Sequence, residues 1–196
     1  IELLGKVFSG VLTDILLLDL SKINMNKPIE IITKTKKLEL NNNYYKQNKN
    51  YNFSILDNKD VKLLEQIYSI SYKTLEKSKW GLGIVTGNNS KHIITNAISG
   101  EKIYTGKDIA PYILKDTDKY IVYERSKFQQ TAPDEIYRAD EKLVYKFISK
   151  KLVFAYDNKQ QLFLNSANIL IPKVETHSIK TVLAFLNSTI FQYIYK

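Results

Sequence analysis

Three short segments of this chain combine cations with side chains able to read the edges of base pairs. Duplex recognition needs ammonium or guanidinium groups for phosphates and two-pronged hydrogen-bonding groups for the major groove. Thr86-Gly87-Asn88-Asn89-Ser90-Lys91-His92 supplies two amides, a lysine and an imidazole in one polar connection. Tyr123-Glu124-Arg125-Ser126-Lys127-Phe128-Gln129-Gln130 supplies one of two arginines, a lysine, two glutamines and aromatics. Gly106-Lys107-Asp108 adds a third lysine for phosphate. Each segment has an ordinary alternative: Asn88 and Asn89 can satisfy the backbone of a turn, and Arg125 can pair with Glu124 or another acid. The residues expected to touch DNA are Asn88, Asn89, Lys91, His92, Lys107, Tyr123, Arg125, Lys127, Gln129 and Gln130.

Other constellations carry less. Tyr44, Tyr45, Lys46 and Lys49 interleave rings with cations, a pattern that serves stacked bases but equally a solvated linker. Asp134 followed by Asp140-Glu141-Lys142 has the residue types of a metal-dependent nuclease. The gap is too short for carboxylates on two strands, and solvated helix charges account for it. His92 and His177 are far apart and have no ligand-like neighbours. Gly81-x-Gly83 with Gly87 has the wrong spacing for a dinucleotide turn and precedes a strand instead of opening a helix. No Pro-Pro pair occurs, so the Asn/Asp-Pro-Pro-aromatic loop of an amino-methyltransferase is missing from these residues. No residue is expected to be catalytic or to hold a metal.

The chain has 196 residues, 29 of them basic and 20 acidic, for a formal charge of +9. That balance favours polyanions, although a lysine- and asparagine-rich composition also follows from AT-rich coding. With 44% apolar residues, 14 Tyr and 8 Phe, there is material for one good core and a small satellite. Cysteine is absent, which excludes disulfides and thiolate sites and fits a reducing cytosol. The apolar run Val7–Leu20 contains Asp14 and Asp19 and is too short and too charged to span a bilayer.

Local pattern predicts the elements that must position these segments. Residues 11–20 and 29–35 read as a hairpin around the polar turn SKINMNKP. Asn41–Asn52 reads as a linker, and Asp60–Lys79 as a helix with Asp57, Asn58 and Asp60 as possible caps. Short strands are expected at 83–85, 91–95 and 120–123, and a helix from Ala132-Pro133 to Ile148, broken near Asp140. Residues 151–156 and 161–165 suggest a second hairpin, followed by a buried strand at 168–171. Ser178 then caps a helix that Asn187-Ser188 divides in two. The fold class is α+β: a mixed domain of several short strands with flanking helices and a C-terminal helical element.

The ordered blocks WGLGIVTGNNSKHIIT, GEKIYTGKDIAPY, YIVYERSKFQQTAP, EKLVYKFISKKLVFAYDN, LFLNSANILIP and VLAFLNSTIFQYIYK cover about three-fifths of the chain. Together they resemble the TaqI-like C-terminal specificity domain, the target-recognition part of type II (type IIG-like) restriction–modification enzymes and adenine-specific methyltransferases. The opening GKVFSGVLTDILLLDL resembles the closing strands of an adenine-methyltransferase domain. The resemblance implies that residues 1–52 are the tail of an upstream catalytic domain plus linker, and that 53–196 form a target-recognition domain truncated at its last helix. It implies double-stranded DNA and the upstream methyltransferase domain as partners, no membrane, and a prokaryotic cytoplasm. S-adenosylmethionine, and Mg2+ if the parent cleaves, would then belong to the parent enzyme and not to these residues. The alternative is a non-catalytic interaction module that packs against a larger enzyme.

Overall fold

The computed structural model describes every residue except 12, 23–26, 42–55, 57, 96–98 and 196. The linker expected at Asn41–Asn52, apart from Asn41, and the cap expected at Asp57 lie outside the described residues. The chain divides into two compact units, Ile1–Ser71 and Tyr72–Lys196.

The first unit holds one sheet in the order β2-β1-β3-β4, with β1 at Glu2–Gly5, β2 at Ile15–Leu17, β3 at Ile29–Ile32 and β4 at Lys37–Leu40. The expected hairpin between 11–20 and 29–35 does not form. Instead β1 lies between them, antiparallel to β2 and parallel to β3. Ile31 and Leu40 form its small buried core, with Val61 of helix α1 (Asn58–Ser69) packed on it. The helix ends at Ser69, well before Lys79, and the Ser69 hydroxyl donates to the Gln66 carbonyl at 2.8 Å in its last turn.

Two sheets build the second unit. The first has the order β10-β9-β12-β5: Phe154–Asp157, Lys142–Lys146, Ala167–Ile171 and Lys79–Leu82, antiparallel throughout. The second has the order β11-β7-β8-β6: Leu162–Phe163, Glu101–Tyr104, Tyr120–Ile121 and Ile93–Ile94. Strand side chains alternate between faces, and here the alternation divides one sheet between two cores. Val144, Ala155 and Ile169 join Ile103, Ile121, Leu162 and Phe163 in the main core. Their neighbours Leu143, Phe154 and Leu170 meet Val182, Leu183 and Leu186 of α4 (Ile179–Leu186).

That double burial corrects the helix expected to run to Ile148. Only Asp134–Tyr137 (α3) is helical, and Lys142–Lys146 is the strand β9 between β10 and β12. Its Leu-Val-Tyr run is apolar on both faces, which suits a central strand better than the single stripe of a surface helix. The expected hairpin 151–165 also fails, because β10 pairs with β9 while β11 runs parallel to β7. Residues 91–95 yield only the two-residue β6, since Asn89–His92 forms the one-turn helix α2. The C-terminal reading holds: Ser178 caps α4, accepting from the Thr181 N–H at 3.1 Å, and α5 (Thr189–Tyr195) follows the break.

Gly83 explains the glycines that superficially suggested a cofactor turn. A Cβ there would stand 2.2 Å from the Leu164 carbonyl oxygen and 2.4 Å from that of Ala167. Glycine is needed because the chain's own backbone occupies the space.

Lys142 and Asp157 face each other across β9 and β10 and are both fully buried, with an Nζ–Oδ2 distance of 2.8 Å. Lys142 also donates to the Tyr137 carbonyl at 2.6 Å, and Asp157 accepts from the Lys159 and Gln161 N–H groups at 2.8 and 2.9 Å. Burial pulls the lysine below its ordinary range, and the Asp157 carboxylate pulls it back upward. Removing one member of a buried pair strands the other charge, at a cost of ~3–5 kcal/mol. Lys142→Met should therefore lower the urea midpoint strongly. Adding Asp157→Asn, which is neutral and keeps an acceptor for one of the two N–H groups, should restore part of it. An unchanged midpoint in Lys142→Met would refute this account.

Candidate nucleic-acid interface

Strand β5 carries the chain directly into the first recognition segment. Beyond it, Val85 and Gln130 exchange backbone hydrogen bonds of 2.9 and 3.1 Å. This bridge sets residues 86–92 alongside residues 123–130. Gly87 turns the chain with φ +77°, where its missing Cβ would come within 3.5 Å of Gln129. The His92 and Phe128 rings then meet edge to face with centroids 5.4 Å apart. All the sequence-predicted residues except Lys107 therefore lie on these two adjoining segments.

Within that surface, several side chains have internal work. Asn88 caps α2, accepting from the Lys91 N–H at 3.2 Å, and the Asn89 side-chain oxygen accepts from Thr86 Oγ1 at 2.6 Å. Tyr123 donates to Asp134 Oδ1 at 2.5 Å; burial first, and that bond second, push its phenol above the ordinary range. It is a neutral donor at any working pH. Arg125 Nε donates to Thr131 Oγ1 at 2.9 Å, with Nη1 3.7 Å from Asp134. Lys127 pairs with Glu124 at 2.7 Å. The other arginine, Arg138, binds both carboxylate oxygens of Glu101, at 2.6 and 2.8 Å, and lies over the Tyr123 ring.

Lys91, Gln129 and Gln130 differ from these. All three are exposed, and none of their side chains has a partner among the described residues. A glutamine with both amide groups uncommitted can bind an adenine edge through N6 and N7, and an uncommitted ammonium can meet phosphate. Asn88 and Asn89 each engage the amide oxygen internally, so their outward chemistry is that of NH2 donors.

Lys107 belongs to a second cluster. It lines a groove of about 670 Å³ with Lys119, Lys146, Phe147, Ile148 and Asn165. Lys119, Lys146 and Ser166 of this groove carry no signal in the sequence, and neither does Asn165. Asn165 is exposed. No local pattern links these positions, because they meet only through the pairing of distant strands.

The three acids of the nuclease-like stretch go separate ways. Asp134 takes Tyr123 and Arg125, Asp140 accepts from Gln160 at 3.2 Å, and Glu141 accepts from the Tyr156 hydroxyl. Among the described residues, no three His, Cys, Asp or Glu side chains come together as a metal site. No described helix is long and apolar enough to cross a membrane.

The larger unit is thus an α+β domain that presents two adjoining polar segments and a lysine-lined groove. Residues 101–196 match the model of the TaqI-like C-terminal specificity domain, so the recognition made from the ordered blocks holds over that stretch. The chain is also 37% identical over 112 residues to the Type II methyltransferase M.VspI of Vibrio sp. (strain 343). That match covers 54% of this chain and 27% of the relative, about a quarter of its length.

The contrast between committed and uncommitted amides is measurable without DNA. Asn88→Ala should cost about 1 kcal/mol of stability through the lost cap. Gln129→Ala should stay within about 0.5 kcal/mol of the parent chain. Urea unfolding of both variants checks the pair, and a reversed order would contradict the assignment.

Proposed function

We propose that this chain is the DNA target-recognition part of a restriction–modification methyltransferase and binds double-stranded DNA sequence-specifically. The match of residues 101–196 to a specificity domain carries the reading. The geometry supports it through one exposed surface that sets the uncommitted Lys91 beside the uncommitted Gln129 and Gln130. Lys91 would meet phosphate, and the glutamines would read base edges. Arg125 and Lys127, held by Asp134 and Glu124 in the DNA-free chain, would exchange those partners for phosphate or guanine on binding.

Methyl transfer to adenine N6 would belong to a catalytic domain outside these residues, as would any cleavage. S-adenosylmethionine supplies the methyl group in such enzymes. The space beside Gly81 and Gly83 is filled by Ile136 and by the Leu164 and Ala167 carbonyls, so that glycine pair serves packing. The proposed division of labour gives this part the choice of sequence, while the adenine is extruded into a pocket elsewhere.

Two measurements on the complete protein test the proposal. Lys91→Gln should weaken binding to all duplexes alike and reduce the log–log salt slope by about 1. Replacing residues 83–172 by the equivalent segment of a relative should switch the N6-methyladenine motif in a host carrying the gene. An active chimera that keeps the parental motif would place recognition elsewhere and favour a packing module.

A further inference from the structure

The lysine-lined groove and the hairpin tip beside it form a second surface, separate in its residues from the amide-bearing segments. Lys107 comes from the 3-10 turn after β7, Lys119 from the approach to β8, and Lys146 from the end of β9. One carboxylate accompanies them: Asp108, 3.8 Å from Lys119, which also accepts from the Thr105 N–H and hydroxyl at 2.7 Å each. Lys107 and Lys146 have no ion pair among the described residues, and neither do Lys150 and Lys151 further along the tip. Between these cations stand Phe147, 60% exposed, and Ile148, 87% exposed.

The tip is held on three sides. The Phe147 N–H donates to the Ser166 carbonyl at 3.1 Å. Gln192 of α5 binds both backbone groups of Leu152, accepting at 3.0 Å and donating at 2.7 Å. Tyr195 donates to the Ser149 carbonyl at 3.1 Å. An apolar pair presented to water on an anchored turn, rather than folded back into the core, loses little further freedom when it meets a partner.

We propose that the groove binds the phosphates of a DNA strand and that Phe147 and Ile148 wedge against the base stack beside it. This rests on the DNA reading above and adds a contact that the amide-bearing segments do not supply. Charge complementarity selects the occupant: five ammonium groups with one neighbouring carboxylate suit a polyanion. Apolar side chains set among cations are what proteins insert between base steps to kink or open a duplex.

The test uses the complete protein and mixed-sequence duplexes carrying 2-aminopurine in place of adenine. Lys107→Gln with Lys146→Gln should reduce the salt slope of binding by about 2, whereas arginine at both positions should preserve it. Phe147→Ser with Ile148→Ser should weaken binding about tenfold at an unchanged salt slope and abolish the 2-aminopurine fluorescence rise that marks unstacking. Both positions are exposed, so folding should survive, as the urea midpoint would show. If the unaltered protein binds no duplex, the DNA reading itself fails. If it binds, but the lysine variants keep the full slope or the serine variants keep the fluorescence rise, the groove and wedge assignment fails alone. Loss of self-association or of catalytic-domain docking in the serine variants, with DNA binding intact, would assign the tip to a protein contact and overturn the proposal.

Discussion

The ion pair between Lys142 and Asp157 ties together four parts of the larger unit. It closes the β9–β10 register at one end and anchors the segment after α3 through the Tyr137 carbonyl. It also shapes the turn toward β11 through the two N–H groups bonded to Asp157. A buried ammonium and carboxylate are tolerated only when neither is left short of partners. Here the lysine has a carbonyl and the face of Phe163 besides its counter-ion. That demand makes the pair specific: sliding β9 against β10 by one residue would bury both charges unpaired. The strand whose far end carries the hairpin tip is thus pinned at its start.

The C-terminal helices complete the same hairpin from the other side. Asn187 binds the N–H and carbonyl of Phe154, both at 3.0 Å, and Gln192 does the same for Leu152. Asn187 therefore pairs with the outer edge of β10, and Gln192 with the residues leading into it, much as another strand would. An uncovered edge invites pairing with other chains, and these amides close part of it without adding a strand. The break between α4 and α5 lets both amides reach it, since Asn187 stands at the break itself.

The two amide-bearing segments owe their placement to pairing between neighbouring stretches of backbone. The Val85–Gln130 bridge and the β6–β8 pairing at Ile93–Ile121 set the two amide-bearing segments side by side. Segments of this kind can change residue type without disturbing the core, because the side chains of Lys91, Gln129 and Gln130 have no partner among the described residues. The bridge at Gln130 is made by backbone alone. Asn88, Tyr123 and Arg125 are different: each is bound into the scaffold, and changing one would alter the platform as well as its surface.

Local chemistry made several features legible from residues adjacent in the chain. A serine ahead of an apolar 3.6-residue stripe marked the start of α4, Asn187-Ser188 marked its end, and the Ile-Leu-Ile run before Pro172 marked β12. The order of the sequence blocks carried the resemblance to the specificity-domain model that residues 101–196 match, and the residue types of 86–92 and 123–130 nominated both segments. Tertiary structure alone decided whether 142–148 is helix or strand, because an apolar run without a clear period takes the state its partners bury. It also decided which nominated cations are neutralised at home: Lys127 looks like Lys91 in sequence, but only Lys127 has a carboxylate at 2.7 Å. The groove joining Lys107, Lys119 and Lys146 was invisible in one dimension. Caps and periods depend on neighbours a few residues away, whereas the partner of a charge or of a strand is chosen by packing between segments far apart in the chain.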